Sequence, residues 1–109
     1  MTSTRDNSEN RGPLTTIDRL IHEPARFLIM AHLYVVEAAD FLFLQRQTEL
    51  TWGNLSSHIS KLEDAGYVEV EKTFKGKKPH TLLRLTDQGR TAFNIYREKM
   101  RQTLANLPQ

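Results

Sequence analysis

The hydrophobic pattern of the chain changes period at Gly66, and this change constrains the fold more than any other feature of the sequence. Before Gly66, the spacing of Leu55, Ile59 and Leu62 places three apolar side chains on one narrow stripe of a helix. After it, residues 67–74 alternate between apolar and polar side chains, which is the pattern of a strand with one buried face. The sequence therefore predicts a helix that leads directly into a strand.

The helix before Gly66 has clear start and stop signals. Thr51 can act as its N-cap, because a threonine hydroxyl accepts a hydrogen bond from a free backbone N–H of the first turn. Leu50 and Leu55 have the spacing of a hydrophobic staple around that cap. Gly66 is typical of the residue that follows a helix end. These signals predict a helix from Thr51 to Ala65.

The strand after Gly66 is predicted to form half of a β-hairpin. The strand pattern covers Tyr67 to Phe74, and the segment Lys75 to Pro79, with the sequence KGKKP, is rich in turn residues. Thr81 to Leu85 can return as the second strand. A glycine-containing loop between two such runs is typical of a hairpin.

Helical patterns cover most of the remaining chain. Apolar spacing predicts a short helix from Leu14 to Ile21 and a second helix from Pro24 to Ala38. Asp40 is a candidate N-cap for a third, short helix, and the polar segment Gln45 to Glu49 is expected to lead into a turn. A final helix, capped by its first residue, is expected over Thr86 to Leu104.

The predicted order of elements is that of a winged helix-turn-helix, in which a helix pair is followed by a β-hairpin wing. The fold class is therefore mainly α with a small β-hairpin, an α+β arrangement with terminal helices available for dimerisation. Residues 1–13 are polar and lack periodicity, so we expect a flexible arm there. Residues 14–109 are expected to form the DNA-binding domain with its C-terminal dimerisation helix.

The face of the capped helix opposite its apolar stripe carries small, hydrogen-bonding side chains. At 100° per residue, this face and its flanks include Gly53 and Asp64 at its two ends. Small residues let a helix approach the floor of the major groove, where serine, asparagine and lysine can hydrogen-bond to base edges. An ordinary amphipathic helix with a solvated face is the alternative. The candidate base-reading residues are Asn54, Ser56, Ser57, Ser60 and Lys61.

The predicted hairpin is locally basic, although the whole chain is nearly balanced. There are 15 Lys and Arg against 13 Asp and Glu, so the net charge is only +2. No acidic residue interrupts residues 72–84, and such a run is typical of an element that contacts phosphates. A solvated hairpin, or one that binds an acidic partner protein, is the alternative. The candidate DNA contacts on the hairpin are Lys72, Lys75, Lys77, Lys78, His80 and Arg84.

The last predicted helix has a longer apolar stripe than a small three-helix core requires. We therefore expect it to form a homodimer interface together with the first predicted helix. The candidate interface residues are Leu14, Ile17 and Ile21 from the first helix, and Phe93, Tyr96, Met100 and Leu104 from the last.

Four segments together resemble the winged-helix transcriptional regulators related to the MarR and ArsR groups, especially their small single-domain branch. The segments are IHEPARFLIMAHL, NLSSHISKLEDAGYVEV, KGKKP and LRLTDQGR, and the resemblance extends over Leu14 to Tyr96. It implies a cytoplasmic homodimer that binds pseudo-palindromic double-stranded DNA and regulates transcription. The larger MarR proteins have longer terminal helices that shape an effector cavity, and the sequence leaves open whether an effector exists here.

Several other classes of function are disfavoured. There is no cysteine, the four histidines lack metal-ligand spacing, and no P-loop, dinucleotide fingerprint or nucleophile elbow occurs. We therefore expect no enzyme activity, no metal and no cofactor, with structural roles for histidines such as His58. The longest apolar stretch is too short to span a bilayer, so a cytoplasmic protein without a membrane partner is expected. Trp52, the single tryptophan, is expected either to pack against the preceding helix or to stack on DNA.

Overall fold

A computed structural model of the chain describes residues 17–108, which contain four helices and a three-stranded antiparallel sheet. This architecture is the predicted α+β class. In chain order, the elements are α1 (Pro24–Val35), β1 (Ala39–Asp40), α2 (Phe41–Thr48), α3 (Trp52–Asp64), β2 (Val68–Lys75), β3 (Lys78–Leu85) and α4 (Asp87–Ala105).

Each helix begins at a residue whose side chain accepts a hydrogen bond from a free backbone N–H of the first turn. The three predicted caps are confirmed, and Glu23 acts in the same way at the start of α1. The bonds run from Arg26 N to Glu23 Oε1 (2.9 Å), from Phe43 N to Asp40 Oδ1 (2.6 Å), from Asn54 N to Thr51 Oγ1 (3.1 Å) and from Gly89 N to Thr86 Oγ1 (2.9 Å).

The predicted helix from Leu14 to Ile21 is wrong in its described part. Residues 17–23 form turns and bends instead. The carboxylate of Asp18 accepts hydrogen bonds from the backbone N–H groups of Leu20 and Ile21, at 2.9 and 3.3 Å, and so stabilises a turn in place of a helix. Leu14 and the predicted arm, residues 1–13, lie outside the described residues.

Two further boundaries differ from the prediction. Helix α1 ends at Val35 and not at Ala38, because Val36 is extended, with φ −111° and ψ 157°. Helix α2 continues to Thr48 through residues predicted to lead into a turn, and it ends where Glu49 adopts the left-handed conformation, with φ 58°. The stop signal is therefore one residue's backbone conformation and not the polar composition of the segment.

The sheet has the order β1-β3-β2, with every pair antiparallel. Strands β2 and β3 form the predicted hairpin, but its loop is shorter than expected, since Lys75 pairs with Lys78 across a two-residue turn. Gly76 has φ +66° at the first turn position, where a turn matched to the twist of the strands requires a positive φ. The two-residue β1, which was not predicted, pairs with Leu82 and Leu83.

The core lies between α1, the apolar stripe of α3 and the base of the hairpin. Its fully buried side chains include Ile29, Leu33, Leu55, Leu62 and Leu83. The residues that join α3 to β2 also fix the start of α4. The Thr86 hydroxyl donates to the Gly66 carbonyl at 2.6 Å, and a Cβ at Gly89 would collide with the Tyr67 carbonyl. The segment between α3 and β2 therefore packs directly against the start of α4.

Candidate nucleic-acid interface

Helix α3 presents its predicted polar face to solvent. Its stripe of Leu55, Ile59 and Leu62 is buried in the core, which fixes the rotation of the helix about its axis. All five candidate base-reading residues are consequently exposed on the outer side: Asn54, Ser56, Ser57, Ser60 and Lys61.

Arg26 of α1 forms hydrogen bonds both with α3 and with the turn that precedes α1. Arg26 Nη1 lies 3.1 Å from Nδ1 of His58, and Arg26 Nε donates to the Leu20 carbonyl at 2.7 Å. The Glu23 carboxylate lies 3.8 Å from the same His58 nitrogen. His58 thus has a structural role: it links α3 to Arg26 of α1 and lies close to Glu23.

Gly53 is exposed in the first turn of α3, and a Cβ added there would meet nothing within 4 Å. Its φ is not positive, so the described fold gives no reason for glycine at this position. Glycine inside a helix costs stability relative to alanine. The missing side chain therefore leaves room for something outside the described chain to approach the helix start.

Trp52, the first residue of α3, packs on the preceding helix and yet remains open to solvent. Its ring lies 4.3 Å from that of Phe41, centroid to centroid, while 61% of the residue is exposed. The predicted packing on the preceding helix is therefore present, and stacking on DNA stays a prediction. The start of α3 is therefore an aromatic platform beside the small polar face.

The hairpin lysines extend this surface beyond α3. All four are exposed, and His80 is half-buried. Lys72 and Thr81 line a groove of about 260 Å³ between α3 and the sheet, so the side of the hairpin that carries Lys72 faces the same space as Ser56 and Ser60. The lysines are Lys72, Lys75, Lys77 and Lys78.

Arg84 lies on the face of the hairpin opposite Lys72. Alternation along the strands puts Arg84, with its partner Glu69, on the side opposite Val70 and Leu83, which line the groove. Its guanidinium donates to the Glu71 carboxylate at 3.0 Å. Arg84 therefore pairs within the hairpin and is not brought together with the polar face of α3.

Acidic side chains gather at the base of the hairpin. Glu63, Glu69 and Asp87 line one surface depression there. Polyanion binding is unfavourable at that end and favourable toward the hairpin tip, where the exposed lysines lie. The surface of the hairpin is therefore acidic at its base and basic at its tip.

The turn before α1 is anchored to the segment between α3 and β2. The Tyr67 hydroxyl donates to Asp18 Oδ2 at 2.6 Å. Burial, together with this bond and the negative charge of Asp18, raises the pKa of Tyr67 to about 12. The bond was not foreseen, because the two residues are far apart in the sequence.

The predicted dimer residues fall into two groups. Ile21, Phe93 and Tyr96 are buried within the single chain, where Phe93 and Tyr96 pack on the ring of Phe27 in α1. The others are more open: Ile17 and Met100 are half-buried, while Leu104 is 63% exposed. The apolar stripe of α4 thus passes from the core to the surface along the helix.

Within residues 17–108, no helix is both long and apolar enough to cross a membrane. The same described range contains no group of three or more acidic or histidine side chains positioned to hold a metal ion.

The sequence profile of the winged helix DNA-binding domain family matches residues 25–104. The chain therefore belongs to this family, whose members bind DNA and are not enzymes. An uncharacterized protein of Methanocaldococcus jannaschii is 34% identical over 89 residues, which are 82% of this chain and 97% of that protein.

Solved structures show the same fold. A transcriptional regulator homologue from Pyrococcus horikoshii OT3 superposes with a TM-score of 0.83 and 29% identity, over 89% of this chain and 98% of that one. A protein of the MarR family of transcriptional regulators from Porphyromonas gingivalis W83 superposes with a TM-score of 0.67 and 17% identity, over 94% of this chain and 100% of that one. The predicted resemblance in fold to MarR-type winged helices is confirmed.

Proposed function

We propose that this winged-helix DNA-binding domain is a sequence-specific transcriptional regulator that acts as a homodimer. In this proposal, α3 enters the major groove, and the β2–β3 hairpin contacts the backbone or the minor groove. The observation that carries it is the exposed polar face of α3, whose apolar opposite side is locked in the core beside a hairpin of exposed lysines.

The base-reading role belongs to the start and middle of α3. Its serines can donate to or accept from base edges, Asn54 can pair with adenine, and Lys61 can reach guanine or a phosphate. Gly53 supports this orientation, since its open position allows close approach of the helix start to DNA. The acidic side chains at the hairpin base keep that end of the surface away from phosphates.

The anchoring role belongs to Lys72, Lys75, Lys77 and Lys78, with His80 near them. Such contacts fix the position of a protein on the duplex and supply affinity without reading sequence. Arg84 contributes less in this scheme, because its charge is paired with Glu71.

The dimer is proposed to form through the exposed part of the α4 stripe. Met100 and Leu104 continue the stripe that Phe93 and Tyr96 begin in the core, with Ile17 and Leu14 contributed from the N-terminal side. Dimerisation would place two α3 helices about 34 Å apart, one turn of the duplex. Residues 14–109 then act as one unit, in which α4 sets the spacing of the half-sites.

To test this function, bound fragments are first selected from a random duplex pool. The recovered duplex and a scrambled duplex are then titrated with the protein by fluorescence anisotropy. Preferential binding of the recovered sequence, with a two-fold-related pair of half-sites, is expected. A second candidate, a protein-interaction module that binds an acidic partner through the hairpin, predicts no detectable duplex binding even at low salt. The small polar face of α3 favours DNA, because protein interfaces depend on larger apolar anchors.

A further inference from the structure

Phe74 is the most exposed aromatic side chain in the described part of the molecule. It lies in β2, one residue pair before the hairpin turn, and 70% of it is open to solvent. Its cross-strand partner is Pro79, so two apolar side chains stand together near the tip of an otherwise basic hairpin. Neither contributes to the core.

Phe74 and Pro79 lie on the side of the hairpin that faces α3. The alternation along β2 places Phe74 on the same face as Val70 and Lys72, and both of these line the groove against α3. The apolar pair therefore continues that face outward, beyond the end of the groove. The same groove is lined by Ser56 and Ser60 from the polar face of α3.

The surroundings of Phe74 favour a polyanionic partner. Lys72, Lys75, Lys77 and Lys78 flank the pair, and residues 72–81 contain no acidic side chain. Glu71, the nearest acid along β2, points to the opposite face and pairs with Arg84. An apolar side chain flanked by lysines is suited to a site where phosphates border stacked bases.

We propose that Phe74, backed by Pro79, is an apolar wedge that enters the minor groove and partly unstacks one base step beside the α3 site. Apolar wedges of this kind bend the duplex, and the bend brings more of the protein surface into contact with DNA. Pyrimidine–purine steps unstack most easily. The hairpin thus selects flexible steps at its position in addition to anchoring the protein. This inference rests on the proposed DNA-binding function.

The test uses the full chain and the duplex recovered by selection from a random pool. The duplex carries a donor and an acceptor dye at its two ends, and 2-aminopurine at the base step nearest the hairpin. The variants are Phe74→Ala and Phe74→Leu. Ile95→Ala is the matched control, since Ile95 is also an exposed apolar residue, 53% open, on α4. Because Phe74 is outside the core, all variants are expected to keep the wild-type far-UV circular dichroism.

The wild-type protein and Ile95→Ala should bend the duplex and increase 2-aminopurine fluorescence. Phe74→Ala should lose both signals and bind roughly tenfold or more weakly, the range expected for loss of a side chain stacked on bases. Its salt dependence should stay unchanged, because the lysines remain, and Phe74→Leu should retain part of the bend.

Equal bending by wild type and Phe74→Ala, or an unbent duplex with wild type, would overturn the wedge while leaving DNA binding by α3 intact. Absence of any duplex binding would instead refute the proposed function and the wedge with it. Titration with anionic phosphatidylserine vesicles tests whether Phe74 and the lysines bind lipid phosphates instead of DNA. Phe74-dependent binding to vesicles, without a Phe74-dependent change in DNA, would also overturn the wedge.

Discussion

The guanidinium of Arg26 donates a hydrogen bond to Nδ1 of His58, with 3.1 Å between the two nitrogen atoms. A guanidinium has no acceptor, so His58 is the acceptor of this hydrogen bond. This bond links α1 to the middle of α3, between the buried stripe and the exposed face. The orientation of the DNA-facing residues is therefore set by a polar contact as well as by core packing.

Replacing Arg26 with methionine keeps the apolar stem of the side chain and removes both hydrogen bonds. We expect Arg26→Met to lower the free energy of unfolding by about 1 kcal/mol or more, because His58 and the Leu20 carbonyl each lose a donor. DNA affinity should fall further than removal of one charge explains. Urea denaturation and anisotropy titration measure the two effects. Arg19→Met, at an exposed turn position, is the control of equal charge, and equal losses in both variants would contradict a positioning role for Arg26.

Gly53→Ala should have opposite effects on stability and on binding. A Cβ at this position meets no protein atom, so the fold should gain up to about 1 kcal/mol from helix propensity. Affinity for DNA should nevertheless fall, because the added methyl group stands where the duplex approaches. Thr91→Ala, an exposed helix-favouring change on α4, should raise stability without weakening binding. Unchanged affinity in Gly53→Ala would show that the helix start stays clear of DNA.

The bond between Tyr67 and Asp18 predicts a stability change at high pH. The pKa of Tyr67 is raised to about 12 in the folded chain, while an unfolded tyrosine titrates near 10. The folded state therefore holds its proton longer, so the stability due to this group is complete below pH about 10 and is lost as the pH rises toward 12.

Tyr67→Phe removes this titration and the hydrogen bond together. The variant should be less stable than the wild type by about 1 kcal/mol at neutral pH, with a shallower decline between pH 10 and 12. Chemical denaturation across that range measures both differences. Parallel curves for the two proteins would mean that Tyr67 titrates alike in the folded and unfolded states.

Leu104→Lys tests the proposed dimer surface. Leu104 continues the apolar stripe of α4, whereas Ile95, nine residues earlier, lies about 180° around the helix. A lysine at position 104 should convert a dimer to a monomer at micromolar concentration in sedimentation velocity, because its charge would be buried in the interface. Ile95→Lys should leave the dimer intact. A monomeric wild-type protein, or dissociation by both substitutions alike, would contradict this interface.

Local signals in the sequence were sufficient to predict most of the fold that carries the candidate site. The caps Asp40, Thr51 and Thr86 and the change of period at Gly66 act within a few residues, so they fix α3 and the hairpin without tertiary information. The two-residue strand β1 escaped prediction, because it is too short for any periodic pattern and depends on pairing with β3.

Features that depend on tertiary contacts could not be predicted in the same way. The turn at residues 17–23 replaces a helix because Asp18 caps two backbone N–H groups and also accepts from Tyr67. The pairing of Arg84 with Glu71 follows from the register and faces of β2 and β3. The burial of Phe93 and Tyr96 depends on the position of α1 against α4, which apolar periodicity alone does not distinguish from a dimer interface.

The most direct test of the central claim, that α3 reads bases while the hairpin anchors the backbone, is one set of anisotropy titrations across salt concentrations. The recovered and scrambled duplexes are each titrated with the wild type, Ser57→Ala/Ser60→Ala and Lys77→Ala/Lys78→Ala. The serine variant should lose preference for the recovered duplex and keep its salt slope. The lysine variant should keep the preference and lose about 0.9 of slope for each phosphate contact removed. Equal affinity of the wild type for both duplexes, or an unchanged slope in the lysine variant, would contradict the account.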